Sequence, residues 1–268
     1  MPTVSRISIS PVKGLALVHP EHVLLEHAGV LENRRFHIVD ADGRRYNQLR
    51  KGKLVQIKQE YDAAAERLAL HLPDGTTADG RISLGLEVTT DFYGRPVDGR
   101  FVEGPWTVAL SRWAGRPLRL VQSAPGAAVD RRGGHVSMVS RASLEELGRQ
   151  GRQDGAVDGR RFRMLFELDG CASHEEDTWI KRHVRIGEAL VRLRGDVGRC
   201  AITTQNPDTG VPDFDSLRTL AAYRPETANE AGKKHIPFGV YGEVVEPGKV
   251  ALGDSVDGVE LSPLEQTA

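Results

Sequence analysis

Short runs of alternating apolar and polar residues, each closed by a turn signal, constrain this chain most. Val4-Ser5-Arg6-Ile7-Ser8-Ile9 alternates as a half-buried strand does and ends at Pro11-Val12-Lys13-Gly14. Arg35 to Asp40 repeats the pattern before the turn Asp40-Ala41-Asp42-Gly43. Lys53 to Glu60, Leu68 to Leu72 (before Pro73-Asp74-Gly75) and Arg81 to Val88 follow. Strands at such short spacing predict a barrel or sandwich, and no strong helix is expected in roughly the first hundred residues. The 29 glycines and 14 prolines among 268 residues agree with a turn-rich, β-dominated chain.

Further along, a helical turn is expected within Leu110–Pro117, ahead of a strand at Leu118–Val121. The loop Ser123–Gly134, rich in small and basic residues, marks a domain boundary or a lid. Ser143 and Glu146 stand at capping-box spacing, which predicts a helix start there. A second short helix is expected over Ser216–Tyr223. Phe162–Leu168, Ala189–Arg194 and Phe238–Val245 read as strands. The expected fold is mainly β: two packed barrel-like domains, residues 1–122 and 123–268, with a few short helices.

Composition narrows the function. A net charge of -1 gives no bulk attraction to nucleic acid or to an acidic membrane. No run approaches the roughly 18–20 apolar residues of a membrane span, and the N-terminus lacks a signal-peptide core, so a cytoplasmic protein is expected. Cys171 and Cys200 lack paired-cysteine spacing, which argues against a zinc or iron–sulfur site. There is no dinucleotide fingerprint, phosphate loop, nucleophile elbow or His-Glu-x-x-His. His174-Glu175-Glu176-Asp177 is either a cation site or a solvated loop; contiguous carboxylates favour the loop.

Cys200 follows Arg199 and precedes Ala201-Ile202-Thr203-Thr204. An adjacent positive charge favours a thiolate, which is a nucleophile or metal ligand. The alternative is a small apolar residue opening a buried strand at Ala201. Lys13, Arg34-Arg35 and Arg160-Arg161-Phe162-Arg163 sit at strand ends, where cations either form an anion pocket or are ordinary surface charges.

Several of these segments, in this order, resemble the MOSC family, the molybdenum-cofactor sulfurase C-terminal family, in its form with an N-terminal β-barrel domain. The resemblance runs through Pro11-Val12-Lys13-Gly14, Asn33-Arg34-Arg35-Phe36, Phe162-Arg163, Glu176-Asp177-Thr178-Trp179 and Ile186-Gly187. It continues through Arg199-Cys200-Ala201-Ile202-Thr203-Thr204, Asn206-Pro207-Asp208-Thr209-Gly210, Phe238-Gly239-Val240-Tyr241 and Pro247-Gly248-Lys249-Val250. The cysteine block is the most specific, and over nearly its whole length the chain is similar to the amidoxime-reducing components and their bacterial relatives.

The resemblance implies a molybdenum–pterin cofactor (molybdopterin) and no haem, flavin, iron–sulfur cluster or pyridoxal phosphate. It makes Cys200 the metal ligand and, with Asp208, catalytic; Lys13, Arg34, Arg163, Arg199 and Cys200 would bind the cofactor. It implies an oxidoreductase that reduces small N-hydroxylated compounds with electrons from a separate flavoprotein or iron–sulfur donor. The alternative in the same family is a sulfur carrier or cofactor-delivery protein using a Cys200 persulfide. Three positions depart from the pattern. Asn33 replaces an Asp, Leu165 replaces an Asn expected near the pterin, and Gly133-Gly134 replaces hydroxyl residues. Cys171 is expected to lie outside the site.

Overall fold

A computed structural model describes residues 1–127, 129, 133–228 and 232–259. It is built mostly of strands, in two main assemblies. The larger is a seven-stranded sheet in the order Thr3–Ile7, Phe166–Asp169, Val136–Ser140, Pro237–Glu246, Ala189–Gly198, His183–Ile186 and Val256–Val259. Its two edges meet: Val4 N donates to Asp254 O (2.9 Å) and Val256 N to Pro2 O (2.9 Å). The sheet is thereby almost closed into a barrel, which satisfies edge groups that would otherwise be exposed. Val4, Ile7, Met138, Phe166, Val191, Leu193 and Val240 fill its interior.

The parallel pair Val136–Ser140 and Phe166–Asp169 needs a crossover, and the helix Arg141–Gln150 supplies part of it. This helix starts earlier than the capping-box spacing predicts. Ser140 is the cap, its Oγ accepting from Ser143 N (3.1 Å). Ser143 cannot take that role because its hydroxyl is buried and donates to Glu176 Oε1 (2.8 Å). Glu146 is bound instead by Arg149 (2.6 and 2.8 Å).

The second assembly joins a four-stranded sheet (Phe36–Asp40, Leu118–Ser123, Pro96–Glu103, Ser83–Asp91) to the meander Lys58–Asp62, Arg67–His71, Thr77–Arg81. The run Lys53–Glu60 is not one strand, because Gly52–Gln56 forms a 3-10 turn ahead of it. A helix over Pro105–Ala114 packs Trp106, fully buried, against the meander, with Nε1 donating to Leu68 O (3.1 Å). It begins before the helical turn expected at 110–117. Pro105 in the first turn and Gly115 in the left-handed conformation (φ 71°) are its start and stop signals.

The first 25 residues bind the sheets of the C-terminal half. Thr3–Ile7 pairs with Phe166–Asp169, and His22–Leu25 pairs with Gly248–Ala251. The turn between these strands, which carries Lys13, is thus carried to the seam between the two assemblies. There Val12 bridges Phe36 of the four-stranded sheet.

Candidate cofactor and active site

Cys200 follows the strand Ala189–Gly198, whose register against Pro237–Glu246 slips between Leu193 and Gly195 and again between Asp196 and Gly198. Such irregularities re-aim the side chains beside them. The strand expected from Ala201 does not form. Ala201–Thr204 is a 3-10 turn capped by an extended Cys200 (φ -135°). The threonine hydroxyls explain it: Thr203 Oγ1 donates to Cys200 O (3.0 Å) and Thr204 Oγ1 to Ala201 O (2.8 Å). Cys200 is a free, exposed thiol, so the reading as a buried strand residue does not hold.

A cavity of about 300 Å³ lies at this thiol. Lys13, Arg34, Arg163, Arg199 and Cys200 all line it, although 187 positions separate the first from the last. Lys13 is held by its own N–H to Phe36 O (2.8 Å), next to Gly14 at φ 95°. Arg34 and Arg163 are both in the left-handed conformation, at φ 56° and 52°. For non-glycine residues this costs of order 1–3 kcal/mol each, and such strain gathers at functional sites. Arg34 Nη2 donates to Arg163 O (3.0 Å), and Arg163 Nη2 donates to Ser10 Oγ (2.9 Å) and Leu15 O (2.7 Å). Burial pulls the Arg163 guanidinium down to about 10, which leaves it charged at neutral pH.

Arg199, expected to bind the cofactor, lines the cavity, but its guanidinium is engaged by backbone and core groups. Its guanidinium donates to Phe238 O (Nε, 2.8 Å), Phe162 O (3.1 Å) and Met164 Sδ (3.0 Å), with Phe162 beneath it at 5.1 Å. It ties the Cys200 loop to the hydrophobic cluster behind it. Asp208 is not brought to the cavity. Asn206 Oδ1 accepts from Asp208 N (2.9 Å) and Thr209 N (3.1 Å), and this turn directs the Asp208 carboxylate to Arg160 (2.7 and 2.9 Å).

Two contributors were not among the residues expected to bind the cofactor. Arg161 lines the cavity, buried, and reaches Asp213 (2.6 Å), whose carboxyl it holds below its ordinary range. Its position inside an arginine run around Phe162 was the available signal. Gln59, buried on the strand Lys58–Asp62, accepts from Val12 N (2.6 Å) and donates to Ser10 Oγ (3.1 Å) and Ala16 O (2.5 Å). No local pattern marks it, because its partners lie more than 40 residues away.

The departures from the family pattern have structural outcomes. Leu165 is buried in the barrel core, and Met164 faces the cavity instead. Asn33 Oδ1 accepts from Ser10 N (3.0 Å), and Gly134 forms part of the cavity wall. The acidic run is not a solvated loop: Glu176 is fully buried, its Oε1 accepting from Ser140 N (3.1 Å). Among the described residues no group of three His, Cys, Asp or Glu is arranged to hold a metal. Cys171 lies outside the cavity, its thiol pushed up to about 12 by burial and then by neighbouring carboxylates.

An exposed thiol set beside a cationic wall, on the turns that flank a near-closed barrel, suits an anionic ligand. Residues 129–257 match the MOSC domain and residues 1–100 the MOSC N-terminal beta barrel domain, and the chain belongs to this family. It is 26% identical to the human mitochondrial amidoxime-reducing component 1, over 95% of this chain and 82% of that protein. It is 36% identical to the mouse mitochondrial amidoxime-reducing component 1 over 44% of this chain, a match spanning only 35% of the mouse protein. Among solved structures it is similar to the YUAD protein of Bacillus subtilis, with a TM-score of 0.47 and 10% identity, over 96% of this chain and 94% of that one.

Proposed function

We propose that this chain binds a molybdenum–pterin cofactor at the Cys200 cavity and reduces small N-oxygenated compounds, with electrons from a separate donor protein. The observation that carries this is the convergence of an exposed thiol with Lys13, Arg34 and Arg163 in one cavity. The donor set suits the group. A soft thiolate is a ligand for an oxo-metal, and forked guanidiniums with a lysine suit a phosphate. The cofactor would supply a metal centre able to accept oxygen and store two electrons.

The protein's own residues then have distinct tasks. Cys200 anchors the metal, while Lys13, Arg34 and Arg163 hold the pterin phosphate. Arg199 fixes the Cys200 loop through its bonds to Phe238 O and Phe162 O. Asn47 and Gln48, which also line the cavity, offer neutral hydrogen-bonding groups to pterin or substrate. The overall change breaks one N–O bond, forms one N–H bond and releases water, consuming two electrons and two protons.

Molybdenum and pterin analysis of protein from a cofactor-competent host tests the reading, together with turnover of an amidoxime driven by a chemical reductant. Stoichiometric molybdenum with turnover supports it. A Cys200 persulfide without molybdenum would favour the sulfur-carrier reading instead.

A further inference from the structure

Among the described residues two aromatic side chains line the Cys200 cavity. Phe162 is buried beneath Arg199, whereas Tyr93 is 62% exposed, so its ring stands at the mouth of the cavity. Tyr93 is carried there by a hairpin. The paired strands Ser83–Asp91 and Pro96–Glu103 are joined by Phe92-Tyr93-Gly94-Arg95. Phe92 N donates to Arg95 O (2.7 Å), and Gly94 N to Asp91 Oδ1 (3.0 Å). Phe92 anchors the tip: it is fully buried against Val97 and Val129, and its ring meets His37 edge-on at 5.0 Å. One aromatic residue of the turn is thus driven into a small core, and the next is left at the cavity.

The backbone shows that this placement is not the relaxed one. Tyr93 has φ 59° and Gly94 φ 82°, the two positive values that a tight type I′ hairpin turn requires. Asn or Gly is the usual occupant of the first position, because a bulky side chain is disfavoured at positive φ. Seven described non-glycine residues have positive φ, and three of them, Arg34, Tyr93 and Arg163, line this one cavity. Strain of this kind gathers where the position of a side chain serves function. The ring is also held from one side. The Arg45 guanidinium lies 4.0 Å from the Tyr93 ring centroid, a cation–π contact, and 5.0 Å from that of Phe92. A ring that already carries a cation on one face is a poor seat for a second cation. It remains a good one for a flat, neutral conjugated group, which stacks offset on it.

We propose that Tyr93 is a positioning residue that sets the substrate preference of the Cys200 site. Its ring is a stacking platform for N-oxygenated compounds whose N–O group is conjugated to a flat aromatic or heteroaromatic ring, in preference to saturated ones. The proposal rests on the reductase reading above. The chemistry of such substrates matches the platform. A nitrogen bearing oxygen is a weak base, so the substrate arrives uncharged, and it can lie along the ring with its N–O group directed inward. Stacking needs only the ring, so the phenol hydroxyl is not what selects.

The test uses molybdenum-loaded wild type, Tyr93→Asn and Tyr93→Phe, a chemical reductant, and two amidoximes of similar size, one on a benzene ring and one on a cyclohexane ring. In Tyr93→Asn the ratio of kcat/KM for the aromatic over the saturated substrate should fall roughly two- to twelvefold, through KM of the aromatic one, with molybdenum content unchanged. Tyr93→Phe should keep the wild-type ratio. Asparagine suits the turn better, so cofactor-free Tyr93→Asn should melt at the wild-type temperature or above it, which separates loss of the platform from loss of the hairpin. An unchanged ratio in Tyr93→Asn overturns the proposal. So does an equal fall in Tyr93→Phe, which would move the selection to the hydroxyl. Molybdenum lost in step with turnover would make Tyr93 a cofactor contact and overturns it too. A wild type that reduces neither amidoxime refutes the reductase reading itself, a result distinct from any change of ratio.

Discussion

Gln59→Met tests whether the Lys13 turn is held from outside itself. The amide is buried at 4% exposure and makes three hydrogen bonds to the segment 10–16. Methionine keeps the volume and removes all three. Their losses are unequal. Val12 N sits in fully buried surroundings and would be orphaned, at about 1–3 kcal/mol. Ala16 O is half-buried and regains water, so its loss is about 0.5–1 kcal/mol. Ser10 Oγ keeps Arg163 and Val12 O as partners, so its loss is small. The expected destabilisation is therefore ~2–4 kcal/mol. Equilibrium urea unfolding of cofactor-free protein measures it, with an unchanged m-value as the check that only the native contacts changed. Gln59→Glu sharpens the reading. It keeps an acceptor for Val12 N but sets carboxylate oxygen against Ala16 O, so its cost should shrink as the pH falls and the acid protonates. A loss under ~0.5 kcal/mol in Gln59→Met would show that the segment 10–16 holds its own shape.

Cys200→Ser changes an exposed side chain, so the fold by circular dichroism should be unchanged while molybdenum content drops sharply; Cys171→Ser should leave both intact. Arg34→Ala removes one bond to Arg163 O and a cavity cation, and should reduce cofactor retention about tenfold with only ~1 kcal/mol lost in urea unfolding. Gly52→Ala would place a Cβ 2.0 Å from Gly210 O, so the two loops must part, at a cost of ~1–3 kcal/mol seen as a lower Tm. His37 is held down to about 3 by burial, with Lys13 and Arg45 adding to it, so the native protein keeps it neutral. A depressed base contributes stability that is present above its unfolded value near 6.5 and is lost as pH falls toward 3. At ~1.36 kcal/mol per unit, up to ~5 kcal/mol of acid sensitivity should disappear in His37→Gln, read from urea midpoints across that range.

What the sequence made legible was local or chemical. Period-two alternation marked Thr3–Ile7, one face of which meets the core, while Phe36–Asp40 and the start of Pro237–Glu246 are buried on both faces and were legible as short apolar runs closed by turn signals. Lys13, Arg34, Arg163 and Cys200 were legible through family motifs, and the structure puts them in one cavity. Legibility failed where a side chain answers to a distant partner. Ala201–Thr204 looks like a strand by composition, but its threonines bond back to carbonyls three residues earlier. Ser143 resembles a cap, but Glu176, 33 residues on, takes its hydroxyl. Asp208 reads as catalytic from its motif, but the Asn206 turn and Arg160 hold it on the surface.

The cavity wall also explains why the two assemblies are so tightly joined. Lys13 and Arg34 come from the first half of the chain, Arg163 and Cys200 from the second, and like charges brought together repel. The fold offsets that repulsion with backbone oxygen. Arg34 is held on Arg163 O, and Arg163 on Leu15 O, so both guanidiniums are fixed by a carbonyl from the opposite half. Gln205 Nε2 on Gln48 O (3.1 Å) and the Gly52–Gly210 contact close the same seam on the Cys200 side. Carbonyl dipoles stabilise a guanidinium without neutralising its charge. An anion binding there removes the residual repulsion in the native state and has no matching site in the unfolded chain. Ligand binding and folding are therefore linked, and the seam should be most stable when the cavity is filled.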